Sequence, residues 1–248
     1  ACEKATKKGK GDRGAAMLKS LTLLDEMEAV GQAPNARSYA VVIRSLESAG
    51  KPAEALIIFD RMSEQGVPRD LTHYNNALRA CDKSDQHERA LVLLEELKGV
   101  TKPNLFSYSP CLNALKKAGR WASALEIVDE VPLDIRTKYI YYVAMEACQH
   151  LPGQSDRAAA LLAEMGDIAN VQTYNAAISA MKLDGDWRRC VELFETMKAT
   201  ERDKCQPDAV TYQRMLDALP ESEVGLAREL CLEAMAKGHY QACKKWLG

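Results

Sequence analysis

Six tyrosines constrain what this chain can fold into. Tyr39, Tyr74, Tyr108, Tyr141, Tyr174 and Tyr212 follow one another at intervals of 35, 34, 33, 33 and 38 residues. A second register agrees: Met27, Met62, Leu97, Val131, Met165 and Met197 recur 32 to 35 residues apart. Self-similarity at a fixed period of this length marks a repeat architecture. The stretch 171–208 shows what one period contains. Tyr174, Ala177, Ile178 and Met181 fall at i, i+3, i+4 and i+7, one face of a helix. Leu183-Asp184-Gly185-Asp186 supplies turn chemistry, with Asp186 placed to cap a second helix. In that helix Cys190, Leu193, Phe194 and Met197 repeat the stripe. Helices this short are marginal in water alone, so each pair must bury its stripes on neighbours of the same kind.

Seven units follow: a partial one at 1–35, then 36–70, 71–104, 105–137, 138–170, 171–208 and a degenerate 209–236, with a polar tail at 237–248. They predict an all-α fold, a single array forming a right-handed α-solenoid of about seven tandem helix-turn-helix repeats of 33–38 residues. Ala1 to Ala5 read as the tail of a first helix whose beginning is absent, which points to a fragment. A basic, glycine-containing insertion, Thr6 to Gly14, is expected to follow as a solvated loop. Gly50 suits a helix C-terminus and Pro52 the first turn of the next helix. Pro110 is expected in the first turn of its helix, where a missing N–H costs little. Pro132 and Pro220 stop their helices early, Ala199 to Gln206 form an extra charged loop, and a last helix runs near Leu226 to Ala236. The closing QACKKWLG is placed to cap the array.

Composition removes several function classes. No run of about 18 apolar residues occurs, so a membrane span is not expected. The opening ACEKATKKGKGDRG lacks the apolar core of a signal peptide. Eight cysteines include no C-x-x-C pair and no His at ligand spacing, so neither a metal nor a cofactor is expected. Cys2, Cys81, Cys111, Cys148, Cys190 and Cys231 fall on apolar helix faces, where Cys behaves as a small hydrophobe, and a reducing compartment follows. Four scattered histidines, no Gly-rich phosphate loop and no H-x-E…C-x-x-C signature argue against an enzyme. Net charge is −2, divided as +4 over residues 1–124 and −6 over 125–248, which tilts any polyanion contact toward the first half.

The motifs QTYNAAISA and THYNNALRA, with EMEAVGQAPN and the loop end QPD, closely resemble the pentatricopeptide repeat family; the tetratricopeptide pattern is absent. The resemblance covers nearly the whole chain. It implies single-stranded RNA binding, one base per repeat, in a mitochondrion or chloroplast, serving RNA processing, stability or translation. In that family the residue after the first-helix tyrosine meets the base edge, and the last residue of the unit assists it. The residue two places before the tyrosine wedges between bases. Carried over, the pairs are Ala40 with Asp70, Asn75 with Asn104, Ser109 with Thr137, Tyr142 with Asn170 and Asn175 with Asp208, while Gln213 has no clear partner. Asn175/Asp208 resembles a uridine-preferring combination and Asn75/Asn104 a pyrimidine-preferring one, so units three and six together ask for pyrimidine-x-x-uridine. The wedge places hold Arg37, Thr72, Phe106, Tyr139, Gln172 and Val210. Only Val210 has the family's aliphatic character, although Phe106 and Tyr139 can stack on bases. Lys4, Lys83 and Lys117 fit the family's phosphate-contacting lysine.

Plainer roles stand beside these. The tyrosines lie on the apolar stripes and read as packing residues. Asn75 and Asn175 suit helix capping. Trp121 and Trp187 fill gaps between helices, and Lys7-Lys8-Gly9-Lys10 is a solvated loop unless it touches phosphate. The rival to RNA binding is a non-catalytic protein-binding scaffold within a larger ribonucleoprotein or membrane-associated assembly. The charge of −2 and the poor match of most reader pairs favour it.

Overall fold

The computed structural model describes residues 2–200 and 202–243, with side-chain surroundings from residue 14 onward. The described residues form helices and short 3-10 turns, with no strand. Thirteen α-helices follow in order: α1 (Cys2–Ala29), α2 (Ala36–Ser48), α3 (Pro52–Glu64), α4 (Leu71–Lys83), α5 (His87–Val100), α6 (Leu105–Lys117), α7 (Trp121–Glu130), α8 (Lys138–Cys148), α9 (Ser155–Met165), α10 (Val171–Leu183), α11 (Trp187–Ala199), α12 (Ala209–Ala218) and α13 (Val224–Ala236). The chain divides into two compact units, Ala1–Arg120 and Trp121–Gly248.

In the first unit α4 packs against α2, α3, α5 and α6. In the second, α10 packs against α8, α9, α11 and α12. Each unit is thus a stack of helical hairpins with the first helices of successive repeats in one row, the arrangement in which every repeat buries its stripe on its neighbours. The tyrosines build that core. Tyr39, Tyr74, Tyr108, Tyr141 and Tyr212 are buried and Tyr174 is partly so. Several hydroxyls reach a glutamate on a second helix: Tyr39 donates to Glu28 at 3.3 Å, Tyr74 to Glu96 at 3.4 Å and Tyr212 to Glu233 at 2.8 Å. A buried Tyr keeps its phenol partnered in this way, and burial raises the hydroxyl pKa of Tyr39 and Tyr212.

The helix starts follow from the last residue of each unit. Asn35, Asp70, Asn104, Asn170 and Asp208 are the N-caps of α2, α4, α6, α10 and α12, each accepting a backbone N–H from the first turn. Gly50, at φ +79, ends the α2 segment in the left-handed region, and Pro52 opens α3. The equivalent turn after α4 uses Asp85 at φ +55 instead of glycine.

Three expectations are corrected. Residues Thr6 to Gly14 are not a loop, because the backbone runs as one helix, Cys2–Ala29; Gly9, Gly11 and Gly14 each weaken a helix without by themselves breaking it. Pro110 sits not in the first turn of α6 but inside the helix, buried. There it removes the N–H that would bond the Phe106 carbonyl one turn back. Asn75 and Asn175 are not caps: they lie a turn inside α4 and α10, whose caps are Asp70 and Asn170. The other stops stand where expected. α7 ends at Glu130 and α12 at Ala218, and the charged loop after α11 holds a 3-10 turn at Asp203–Cys205. After α13 a 3-10 turn, Tyr240–Cys243, buries Ala242 and Cys243 in the core formed by α10 to α13. Cys81, Cys111, Cys148, Cys190 and Cys231 are buried free thiols, as are Cys205 and Cys243; the side chain of Cys2 lies outside the described residues. Among the described residues no helix is long and apolar enough to cross a membrane.

Candidate nucleic-acid interface

In each compact unit the row of first helices exposes the same place in every repeat. Arg37, Thr72, Phe106, Gln172 and Val210, each the second residue of its helix, are exposed, and Tyr139 is half-buried. Phe106 is 69 % exposed, a large apolar ring left in water. Three residues further along each helix stand the proposed base readers, and two of the predicted pairs do meet. Asn75 Nδ2 donates to Asn104 Oδ1 at 3.4 Å, and Asn175 Nδ2 to Asp208 Oδ1 at 3.3 Å. Helix periodicity explains the meeting. The fifth residue of one first helix and the N-cap of the next first helix face each other because the two helices pack side by side.

The two pairs differ in what they leave free. Asn75 Oδ1 already accepts the Ser107 hydroxyl at 2.6 Å, so both ends of that amide have protein partners. Asn175 is only 5 % exposed, yet its Oδ1 is buried with no partner at all. Its orientation is not arbitrary. Burial alone would raise the Asp208 pKa, but donors from Thr211, Asn175 and Val210 outweigh it and hold the carboxyl below its usual range. An ionised carboxylate only accepts, so the Asn175 NH2 must face it and the carbonyl oxygen must face away. Leaving such an oxygen unpaired costs about 1–3 kcal/mol.

Asn175 lines a cleft of about 300 Å³ in the second unit, with its Oδ1 covered. Tyr142, Met145, Glu146 and Gln149 line it from α8 and its C-cap, Gln172 and Asn175 from α10, and Asp208, Val210 and Arg214 from α12 and its N-cap. Sequence reasoning missed Arg214. It occupies an ordinary helix position with no motif, and its place in the cleft shows only once α12 lies beside α10.

The remaining site residues are placed as follows. Asp70, exposed, is tied up in capping: it accepts from Thr72 and His73 N–H at 2.8 and 3.2 Å and lies 2.7 Å from His73 Nδ1. Ala40 brings no side-chain donor to it. Ser109 and Thr137 belong to different compact units. Gln213 donates to Asp217, at 3.2 Å. Lys83 pairs with the fully buried carboxylate of Glu47, which also takes Arg79 at 2.9 Å. Lys117 bonds Asp82 at 2.8 Å. Both lysines therefore spend their charge on the preceding repeat. The side chains of Lys4, Lys7, Lys8 and Lys10 lie outside the described residues. Trp121 stacks on His150 with ring centroids 4.6 Å apart, and Trp187 packs against the α10–α13 core, consistent with gap filling.

Comparison with known proteins agrees with this geometry. A family model described as a pentatricopeptide repeat domain matches residues 22–84 and 57–118, and a model of the PPR repeat family matches 169–220, together more than half of the chain. A mitochondrial pentatricopeptide repeat-containing protein of Arabidopsis thaliana is 26 % identical over 192 residues, covering 72 % of this chain and 44 % of the relative. Another from the same plant, also named mitochondrial, is 33 % identical over 78 residues, 32 % of this chain and 16 % of the relative. The chain thus spans less than half the length of these curated relatives. Among solved structures, the pentatricopeptide repeat protein PPR10 from maize overlays with a TM-score of 0.53 at 21 % identity, covering 91 % of this chain and 37 % of the other. The repeat period, the paired rows of helices and the two matched spans together make this chain a member of the pentatricopeptide repeat family.

Proposed function

We propose that this chain is a non-catalytic binder of single-stranded RNA that reads bases one per repeat along its row of first helices, most sharply at Asn175 and Asp208. The observation that carries the reading is the unpaired, buried Oδ1 of Asn175, fixed by Asp208 on a cleft flanked by Gln172 and Val210. A flat base entering between those two side chains, with a small shift of a lining side chain that uncovers Oδ1, meets an acceptor and an adjacent N–H, the complement of a base edge. Asn75/Asn104 is the second reader, blunted because Ser107 already occupies its acceptor. Ser109 and Asp70 contribute less, since a short hydroxyl reaches less far and Asp70 is engaged by His73. Phe106, Tyr139 and Val210 serve as stacking wedges. Lys83, Lys117 and Lys4 serve as phosphate contacts, the first two only when phosphate competes with their carboxylate partners. With RNA running 5′ to 3′ along the chain, units three and six select pyrimidine-x-x-uridine. The mitochondrial names of two relatives support an organellar setting, with a role in processing, stability or translation of a transcript.

Fluorescence anisotropy with that oligonucleotide against one substituted with purines at both places tests the reading. Equal affinities would remove the base-reading claim. The protein-binding scaffold remains the second reading, favoured by the neutralisation of Lys83 and Lys117 within the fold. It predicts that the purified chain carries no nucleic acid and that binding to any RNA stays weak even at low salt, where phosphate contacts are strongest.

A further inference from the structure

Seven thiols are buried among the described residues, and two of them meet where the last turn joins its helix. Cys190 and Cys205 each donate to a backbone carbonyl, of Ile178 and Ala169. Cys243 does the same, but its acceptor is the carbonyl of Cys231, 3.5 Å away, and the two thiols also hydrogen-bond one another. Cys231 stands in α13, and Cys243 closes the 3-10 turn Tyr240–Cys243, 12 residues further along the chain. That turn packs against both α12 and α13, and both thiols lie in the core that α10 to α13 share. Burial, and after it the neighbouring thiol, raises the Cys231 pKa to about 11, so this sulfur is inert while the turn is closed. A 3-10 turn of four residues has poorer hydrogen-bond geometry than an α-helix, and short segments of this kind open at low cost.

We propose that Cys231 and Cys243 are an oxidation site, at which a peroxide converts the two thiols into a reversible disulfide that fastens the Tyr240–Cys243 turn to α13. Opening of the turn brings Cys243 to water. Its sulfur then takes one oxygen from hydrogen peroxide: an S–O bond forms, the O–O bond breaks, and the sulfur loses two electrons to become a sulfenic acid while the other oxygen leaves as water. When the turn closes again, the Cys231 sulfur attacks the sulfenic sulfur. The S–S bond forms, and the hydroxyl departs as water with the proton of the Cys231 thiol. In total two thiols and one hydrogen peroxide give one disulfide and two waters. A disulfide needs Cα atoms about 4.4–6.8 Å apart, and a thiol already touching the other residue's own carbonyl is on that scale. Once made, the bond prevents the opening that admitted the oxidant. Because the turn also packs on α12, whose N-cap Asp208 holds Asn175, the lock steadies the helix that supports the reader pair.

The test treats the reduced full chain with hydrogen peroxide, alkylates the remaining thiols in urea and digests with trypsin, which cuts between the two cysteines at Lys237. The expected product is a linked pair of peptides carrying Cys231 and Cys243, lighter by two hydrogens than the separate peptides and lost on treatment with dithiothreitol. Cys231→Ser should leave Cys243 as a sulfenic acid that dimedone captures, a signal that wild type lacks. Hydrogen exchange in α12 and α13 should slow several-fold in the oxidised chain and stay unchanged in α2 to α6. The proposal is overturned if prolonged treatment with excess peroxide leaves both cysteines as free thiols, carries them to sulfinic or sulfonic acid without the link, or joins either to a different cysteine in preference. A link that leaves exchange in α12 and α13 unchanged refutes the fastening. Should Cys231→Ser fail to fold, the peptide map and the exchange rates of wild type decide the matter.

Discussion

Asp208 performs two tasks whose energies separate under substitution. As N-cap of α12 it accepts the Thr211 N–H at 2.8 Å and the Thr211 hydroxyl at 2.9 Å, and as partner of the reader it accepts from Asn175 at 3.3 Å. Replacing Asp208 by Ala removes the cap, worth about 1 kcal/mol. It removes the Asn175 bond, about 1 kcal/mol more, and a carboxylate at a helix N-terminus, about 0.5 kcal/mol. The sum is roughly 2.5 kcal/mol. Asp208→Asn restores the first two contributions, because Asn caps as well as Asp and its oxygen still accepts, so it should cost only about 0.5 kcal/mol. Hydrogen exchange in α10 and α12 is the direct assay, since repeat arrays open locally and a single global transition blurs such differences. Faster exchange in those helices for Ala but not Asn is expected. An Ala variant as protected as wild type, or an Asn variant as labile as Ala, refutes the assignment of both tasks to this carboxylate.

Other outcomes follow from the same structure. Asp85→Gly should stabilise the turn after α4 by about 0.5–1 kcal/mol in urea unfolding, because a residue with a Cβ sits at φ +55 and the exposed Lys117 pair lost with it, 3.8 Å long, is worth little. Unchanged stability would show that the left-handed strain is absorbed by the Asp side chain. Acid should unfold the chain below about pH 4. Asp70, Asp184, Asp208 and Glu233 all have lowered pKa values, so the stability they confer is present above the unfolded carboxylate range and is lost as pH falls through their folded values. A circular-dichroism signal flat down to pH 2 would contradict this. Burial pushes the Cys81 and Cys190 thiols up to about 12 and those of Cys148 and Cys231 up to about 11, so maleimide at pH 8 should spare them in the native chain and label them in urea. Rapid native labelling of any of these four would mean its helix is not packed as described. Glu47→Gln should cost about 1–2 kcal/mol by weakening the bonds from Arg79 and Lys83. It should also steepen the salt dependence of RNA binding as those cations are released, an increase that a scaffold would not show.

Much of the fold was legible because its information is local and repeated. The tyrosine and methionine registers located the helices, and Gly50, Pro52, Pro132 and Pro220 punctuate as their backbone chemistry requires. Where reading failed, the cause was competition between a local rule and the surrounding packing. Pro110 is carried inside α6 among buried neighbours although it loses a hydrogen bond there. Asn75 and Asn175 have capping chemistry, yet the caps fell to the residues before each helix, which already occupy the extended conformation a cap needs. Lys83 and Lys117 matched a phosphate pattern by position, and their carboxylate partners, one repeat upstream, carry no motif that announces them.

The amino-acid sequence by itself determined the period, the helices of the units after the first and the family resemblance that pairs Asn175 with Asp208, since a repeat that buries its stripe only on its neighbour writes the same instructions every 33 to 38 residues. Only the tertiary structure decided which pair keeps an unanswered hydrogen-bonding group. Whether Ser107 reaches the Asn75 side-chain oxygen, or nothing reaches that of Asn175, depends on side chains from successive helices meeting in space. Hydrogen-bond satisfaction is a property of that meeting, and no single repeat encodes it.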